Sequence, residues 1–144
     1  MPLLNYTTSV PVMRTVSEVQ KQLVTAGARA IMAEYGADGE VTGLSFMVDG
    51  PLGRQGYNLP VNADRVEAVL QRQGVSPRYQ TPEHAQRVAW RILKDWIEAQ
   101  LALLETEMVT LDQVMLPYMR TDDGRTVYEL YVDRQASLPA EATR

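Results

Sequence analysis

Apolar residues near the start of the chain recur at intervals of three and four, which predicts an amphipathic helix over about residues 15–26. Thr15 and Glu18 stand in a Thr-x-x-Glu pattern, so we expect them to form a capping box over the first exposed amides of this helix. Gly27 follows where a left-handed C-cap is needed. The apolar repeat consists of Val16, Val19 and Leu23.

The next segment has the two-residue period of β-strands. Alternation along its second strand predicts that Leu44, Phe46 and Val48 face the core. An Asp-Gly pair at 38–39 between apolar runs is typical of a β-hairpin turn. Three glycines spaced by three predict a loop over residues 50–56. The predicted antiparallel strands are residues 28–35, 41–48 and 57–61.

Two further helices have clear end signals. Asn62 is a good N-cap for a helix over residues 63–73, and Gly74 closes it. Residues 75–80 form a proline-containing connector. The Thr-Pro-Glu run at 81–83 supplies a cap, a proline at the first helical position and an acid in the first turn. These signals predict that a long helix begins there.

This long helix needs cover on two sides, because apolar residues occupy more than half of its circumference. One side can pack on the sheet. The other needs a second helix, for which residues 110–116 are the nearest candidate, or another subunit. We therefore predict a homodimer. Trp90 and Trp96 lie on different sides of the helix, and we interpret both as core anchors.

The two ends of the chain complete the predicted fold. Residues 3–13 are rich in Thr, Val and Tyr, which favours an edge strand or an extended arm. After a turn at 121–124, residues 126–132 predict a final strand or extended tail. The expected α+β fold is a small antiparallel β-sheet of three to four strands packed on a long C-terminal helix, in the order β-α-β-β-β-α-α-α-β. Residues 1–135 form one domain, and 136–144 a flexible C-terminal tail.

Composition restricts the chemistry. The absence of Cys excludes disulfides, thiolate nucleophiles and Cys-ligated metals, and a single histidine, His84, has no nucleophile placed beside it by a local motif. Asp122 and Asp123 lack the further acids of a calcium loop, and we interpret them as turn formers. We predict no catalytic residues, no metal and no cofactor, and hence a protein that is not an enzyme.

Charge is distributed unevenly around a net value of −4. Residues 54–94 carry seven basic and three acidic side chains, whereas residues 95–144 carry four basic and ten acidic ones. The overall acidity argues against coating nucleic acid by charge alone, but the basic middle can contact phosphates locally. The candidate nucleic-acid-binding residues are Arg54 in the glycine-rich loop, Arg65, Arg72, Arg78, Arg87, Arg91 and Lys94.

Two interpretations of this basic segment stay open. Arg87, Arg91 and Lys94 share one helix face at a spacing that could meet a phosphate backbone. Alternatively, Arg91 pairs with Asp95 and Lys94 with Glu98 at four-residue spacing, which leaves an ordinary solvated surface.

No membrane segment is expected. The most apolar stretch, residues 88–104, is interrupted by four charged residues, and residues 1–10 lack the basic and apolar regions of a secretory signal. We therefore expect a cytoplasmic protein.

Two resemblances bear on function. The run 87–100, the Leu-Pro-Tyr at 116–118 and the segment 15–60 together resemble a group of small proteins of phages, prophages and mobile elements. That resemblance implies a setting of host takeover or DNA metabolism, without a particular activity. The predicted order of helix, three strands and helix is also that of double-stranded RNA-binding domains, but the Lys-rich start of that family's second helix is absent from residues 63–73.

Together, these observations lead to one functional hypothesis and one alternative. The first is a non-enzymatic accessory protein of a phage or mobile element that binds nucleic acid, DNA rather than RNA, through its Arg-rich middle segment. The alternative is a protein-interaction module that inhibits or redirects a host protein and uses the acidic C-terminal half.

Overall fold

The computed structural model describes residues 1–137, which form a three-stranded antiparallel sheet and five α-helices. The α+β class is therefore confirmed. The strands are β1 (Ala30–Tyr35), β2 (Val41–Gly50) and β3 (Gly53–Asn58), and the helices are α1 (Val12–Thr25), α2 (Ala63–Gln73), α3 (Pro82–Glu105), α4 (Leu111–Met115) and α5 (Val127–Ser137). Short 3-10 turns at Pro77–Tyr79 and Leu116–Tyr118 precede α3 and follow α4.

The sheet has the order β1-β2-β3. The predicted Asp-Gly turn joins β1 to β2, and Gly39 has the positive φ of +84° that such a turn requires. The predicted loop over residues 50–56 is wrong, because β2 and β3 continue to a two-residue turn at 51–52. Gly53 supplies the positive φ at that turn, whereas Gly56 lies within β3 beneath the side chain of Arg120.

The signals at most helix ends are confirmed. The Asn62 side chain accepts a hydrogen bond from the Arg65 amide, and Gly74 adopts the left-handed conformation. Thr81 caps α3 by accepting from the amide of His84 at 3.1 Å. Gly27 has a φ of +103° and follows the C-cap residue of α1, Ala26, at the position where a left-handed glycine ends a helix.

The predicted capping box of α1 is wrong. The helix begins at Val12, with Pro11 as its N-cap, so Thr15 lies inside the helix and is fully buried. A proline has its φ preset to a value suited to the boundary of a helix, and Pro11 moves the start of α1 three residues upstream of the expected position. Glu18 instead pairs with Arg91 of α3.

The two outermost predicted strands are also wrong. Residues 4–7 form a turn, and Met13 already belongs to α1, so no strand precedes the helix. The segment 126–132 belongs to helix α5, because Thr126 and Glu129 exchange the two hydrogen bonds of a capping box. Helix α5 continues to Ser137, and residues 138–144 of the predicted tail lie outside the described residues.

Two clusters of buried residues form the core. The larger one lies between the sheet and α1 and α3, and Leu44 and Phe46 face it as predicted, while Val48 packs at its margin. The smaller one joins Leu70 of α2 to Ala85 and Val88 of α3. The other buried members of the larger cluster are Val16, Val19, Leu23, Val41, Tyr57, Leu59, Trp90, Leu93, Ile97 and Met115.

Helix α3 is covered on both sides within the chain. The sheet and α1 bury Trp90, Leu93 and Ile97, and α2 covers the side that carries Val88. Helix α4, over the predicted segment 110–116, adds Met115 to the larger cluster. Because α2 supplies part of the cover that a second subunit was expected to give, most of the apolar surface of α3 that suggested a dimer is packed within the chain. The homodimer itself stays a prediction.

The N-terminal residues close the smaller cluster. Leu3 and Tyr6 pack against it, and the Leu3 amide donates a hydrogen bond to the Gln73 side chain of α2 at 3.0 Å. The Gln73 side chain in turn donates to the carbonyl of Met1. Helix α2 therefore packs on α3 and is tied to the N-terminal segment.

Candidate nucleic-acid interface

The structure separates the seven candidate cations into three groups. Arg54 lies on β3, where its Nε is 3.0 Å from a carboxylate oxygen of Asp49. Arg29 approaches the other oxygen of the same carboxylate at 3.8 Å. Arg54 is therefore one member of an exposed ion cluster on the sheet, rather than a cation at the tip of a flexible loop.

The stripe on α3 is engaged in contacts within the protein. Arg91 donates a hydrogen bond to Glu18 of α1 at 2.8 Å, and its side chain is only 19% exposed. Lys94 pairs with Glu98 at 3.2 Å, as the four-residue spacing predicts. Arg87 lies 3.2 Å from the Nδ1 of His84. These contacts favour the interpretation in which the three cations are paired within the protein over the one in which they form a continuous phosphate-contacting face.

The third group consists of Arg65 and Arg72 on α2 and Arg78 in the 3-10 turn that follows. All three are exposed, and among the described residues none has a carboxylate within ion-pair distance. Arg65 and Arg72 are seven residues apart, which places them about 10 Å apart along one side of the helix. The guanidinium of Arg78 lies 4.7 Å above the ring of Tyr79. This group is the unpaired part of the basic segment.

A groove between α2 and α3 adds two aromatic side chains to this group. Trp96 and Tyr118 line the groove and meet edge to face, with their ring centroids 5.8 Å apart. Arg65 stands at the same groove, which has a volume of about 370 Å³ and a largely apolar lining. Both aromatic residues are half-buried, so each is held by packing while part of it reaches solvent.

The sequence did not predict this groove, because it could not show how far Trp96 is covered. Trp96 was expected in the core, and Trp90 does lie there at 1% exposed. The helical spacing places both tryptophans on apolar sides of α3 and does not reveal that α2 stops short of covering Trp96. The Leu-Pro-Tyr run at 116–118 gave no signal of its own for Tyr118 as a neighbour of Trp96.

His84 has a structural position. It is 3% exposed, its Nε2 lies 2.5 Å from the carbonyl oxygen of Tyr6, and its Nδ1 faces Arg87. Because a carbonyl can only accept, Nε2 donates and Nδ1 accepts, which is the neutral form of the ring. His84 thereby ties α3 to the N-terminal segment.

The described residues hold no group of three or more His, Asp or Glu side chains arranged for a metal ion. Asp122 and Asp123 lie in the predicted turn, where Asp123 accepts hydrogen bonds from Thr121 and Arg125. Comparison with known protein families, with curated proteins and with solved structures finds no match to this chain. Over residues 1–137, no helix has both the length and the apolar composition that crossing a bilayer needs.

Proposed function

We propose that the protein is a non-enzymatic nucleic-acid-binding accessory factor that contacts single-stranded DNA through α2, the turn at 77–79 and the adjoining groove. The observation that carries the proposal is the position of Arg65 at a groove walled by Trp96 and Tyr118. Proteins that bind single strands combine cations that follow the phosphates with aromatic rings on which bases stack. The resemblance to phage and mobile-element proteins supports the same setting.

The positions of the three arginines suit contact with a short stretch of a single strand. Arg65 and Arg72 lie along one side of α2, and Arg78 continues the basic surface towards α3. A strand held by these three arginines can place one base in the groove against Trp96. The net charge of −4 limits any further attraction, so the complex is expected to be weak and sensitive to salt.

Only some of the cations in the basic segment are assigned to nucleic-acid binding. Arg54, Arg91 and Lys94 already have carboxylate partners, and binding a phosphate there would require breaking an existing ion pair. Arg87 faces His84 and is half-buried. We therefore assign these four cations to the stability of the fold and only Arg65, Arg72 and Arg78 to the ligand.

The test is fluorescence anisotropy with labelled single-stranded DNA, and with duplex DNA and single-stranded RNA of the same sequence. Three phosphate contacts predict that the logarithm of the affinity falls against that of the salt concentration with a slope of about −2. Arg65→Gln and Arg72→Gln should each weaken binding several-fold. Arg54→Gln is the matched control, because it removes the same charge from an ion-paired site and should leave the affinity unchanged.

The role of Trp96 in base stacking can be tested separately. Trp96→Leu keeps an apolar side chain in the groove but removes the stacking face, and should weaken binding about tenfold. DNA should also quench the tryptophan fluorescence of the wild type but not that of Trp96→Leu, in which only the buried Trp90 remains. Equal weakening by Arg54→Gln and Arg65→Gln, or binding of duplex in preference to single strands, contradicts the proposed site.

A second candidate function, a protein-interaction module, is favoured by one observation on α5. Tyr128 and Tyr131 are each 56% exposed, and Val132 beside them is 43% exposed. Exposed tyrosines grouped with an aliphatic residue are typical of protein-binding surfaces. A pull-down from host lysate with and without nuclease separates the two functions. This candidate predicts a partner that survives nuclease and is lost when Tyr128 and Tyr131 are both changed to Ser.

A further inference from the structure

A second groove opens beside the turn of the β2–β3 hairpin. It has a volume of about 480 Å³ and lies between the hairpin, the end of α1 and the start of α4. Val48, Leu111 and Met119 make much of its lining apolar. None of the residues lining this groove lines the groove beside Arg65, so the two are separate sites.

Tyr57 lies at the floor of this second groove. Its side chain is 2% exposed and its ring stacks on Phe46, with the centroids 5.3 Å apart. Within the described residues its hydroxyl has no hydrogen-bond partner. The Tyr57 hydroxyl oxygen is not one of the fully buried polar atoms without a partner, so it keeps access to solvent at the groove. A fixed, unpartnered hydroxyl that reaches the base of an open groove is the partner that a polar group of a ligand would meet.

Asp112 supplies a charge at the same place. Its carboxylate accepts a hydrogen bond from the Thr110 hydroxyl at 2.6 Å and has no cationic partner among the described residues. Burial, and to a lesser extent the charge of Asp112, raises the pKa of Tyr57, so the phenol stays protonated near neutral pH. The groove's other carboxylate, Asp49, is already balanced by Arg54 and Arg29.

We propose that this groove binds a small organic cation, a protonated primary amine carried on an apolar body. The ammonium group pairs with the carboxylate of Asp112 and donates a hydrogen bond to the hydroxyl oxygen of Tyr57. The apolar body lies against Val48 and Leu111. Charge complementarity decides this assignment, because the unbalanced charge at the groove is the negative charge of Asp112 and the Tyr57 hydroxyl beside it is neutral. The inference does not depend on the proposed nucleic-acid function.

The experiment is an NMR titration of the full chain with phenethylamine at millimolar concentration, followed by its amide resonances. A parallel titration with phenethyl alcohol offers the same apolar body without the charge. We expect shifts at groove residues such as Gly53 and Leu111, and an affinity for the amine about tenfold higher than for the alcohol.

Substitutions at Asp112 and Tyr57 test the two polar contacts proposed for the amine. Asp112→Asn should weaken amine binding about tenfold, and Tyr57→Phe about fivefold. Asp64→Asn is the matched control, because Asp64 is also an exposed acid in the first turn of a helix and lies outside the groove. It should leave the affinity unchanged.

Three results overturn the proposal. They are the absence of groove shifts with the amine, equal affinity for the amine and the alcohol, and equal effects of Asp112→Asn and Asp64→Asn. If Tyr57→Phe disturbs the fold, Asp112→Asn still decides the matter, because Asp112 is exposed and contributes nothing to the core.

Discussion

Arg91 of α3 donates a hydrogen bond through Nη1 to the Oε2 of Glu18 on α1, at 2.8 Å. The pair joins two helices that are distant in the chain, and both side chains are mostly shielded, at 19% and 32% exposed. Asp95, the partner that helical spacing predicts for Arg91, accepts a hydrogen bond from Asn5 instead. Arg91 and Asp95 therefore connect α3 to other parts of the fold, whereas Lys94 and Glu98 pair along α3 as their spacing predicts.

Removal of the Glu18 charge should destabilise the protein by about 1 kcal/mol, because Arg91 stays partly buried without its carboxylate. Urea unfolding of Glu18→Gln measures this. Glu98→Gln serves as the control, since Glu98 pairs with Lys94 but is 65% exposed, and its loss should change the unfolding free energy little. Equal effects of the two substitutions would mean that the link between α1 and α3 adds nothing beyond an exposed pair.

Thr15 should tolerate Val better than Ser. The side chain is buried inside α1, so its methyl group contributes by packing. Its hydroxyl caps no amide and accepts only a long hydrogen bond of 3.5 Å from Arg91. Thr15→Ser loses the methyl group and should cost about 1 kcal/mol, whereas Thr15→Val keeps the shape and should be nearly neutral. The opposite order in thermal unfolding would indicate that the hydroxyl matters after all.

The two tryptophans should differ in their contributions to stability. Trp90 is 1% exposed at the centre of the larger cluster, and Trp90→Ala should cost about 4 kcal/mol or prevent folding. Trp96 is half-buried at the margin of the same cluster, so Trp96→Ala should cost roughly half as much. Denaturation midpoints of the two variants check this, and an equal loss would place Trp96 in the core.

The turn at 121–125 should loosen in acid. A hydrogen bond from the Thr121 hydroxyl, followed by those from Arg125, lowers the pKa of Asp123 from 3.8 to about 2. Since the folded state has the lower pKa, the carboxylate stabilises the turn above pH 3.8, and this contribution is lost as the pH falls towards about 2. The amide resonances of Thr121 and Arg125 should report the change, and Asp123→Asn should abolish its pH dependence.

Self-association is checked by light scattering. Because α3 packs against α1, α2 and the sheet within the chain, we look for the homodimer at another surface, and the outer edge of β1 has no neighbouring strand among the described residues. Antiparallel pairing of two β1 edges would extend the sheet, with Met32, which is 48% exposed, close to the two-fold axis. The mass should then rise above 16.2 kDa with concentration, and Met32→Lys should return it to 16.2 kDa. A wild-type mass that stays at 16.2 kDa contradicts the dimer.

The three Thr-x-x-Glu or Thr-x-x-Gln patterns show how far local sequence determines this fold. Those beginning at Thr110 and Thr126 form capping boxes, whereas the one at Thr15 does not. The patterns are alike in sequence, so the difference comes from what precedes them. Pro11 starts α1 early and leaves Thr15 inside the helix. At residues 50–56 the glycines predicted a loop, but the strands there continue to a two-residue turn, so Arg54 and Gly56 lie in a strand.

Only part of the candidate site could be predicted from the sequence. Its charges are visible as a run of basic residues, but their availability depends on partners far along the chain, such as Glu18 for Arg91. The aromatic groove depends on how the beginning of α2 packs against α3, which local sequence patterns do not reveal. Tyr57 and Asp112 are 55 residues apart and meet only because α4 returns to the sheet.

The link between the N-terminal segment and α2 has a consequence for cooperativity. Helix α2 is held by the smaller cluster and by the hydrogen bonds of Gln73 to the first residues, whereas the sheet belongs to the larger cluster. Such a peripheral unit can open as a separate foldon while the sheet stays protected from hydrogen exchange. A nucleic-acid strand bound to Arg65 and Arg72 would slow that local opening selectively, because it binds only the closed form. Exchange at the α2 amides would then measure occupancy at the site independently of global unfolding.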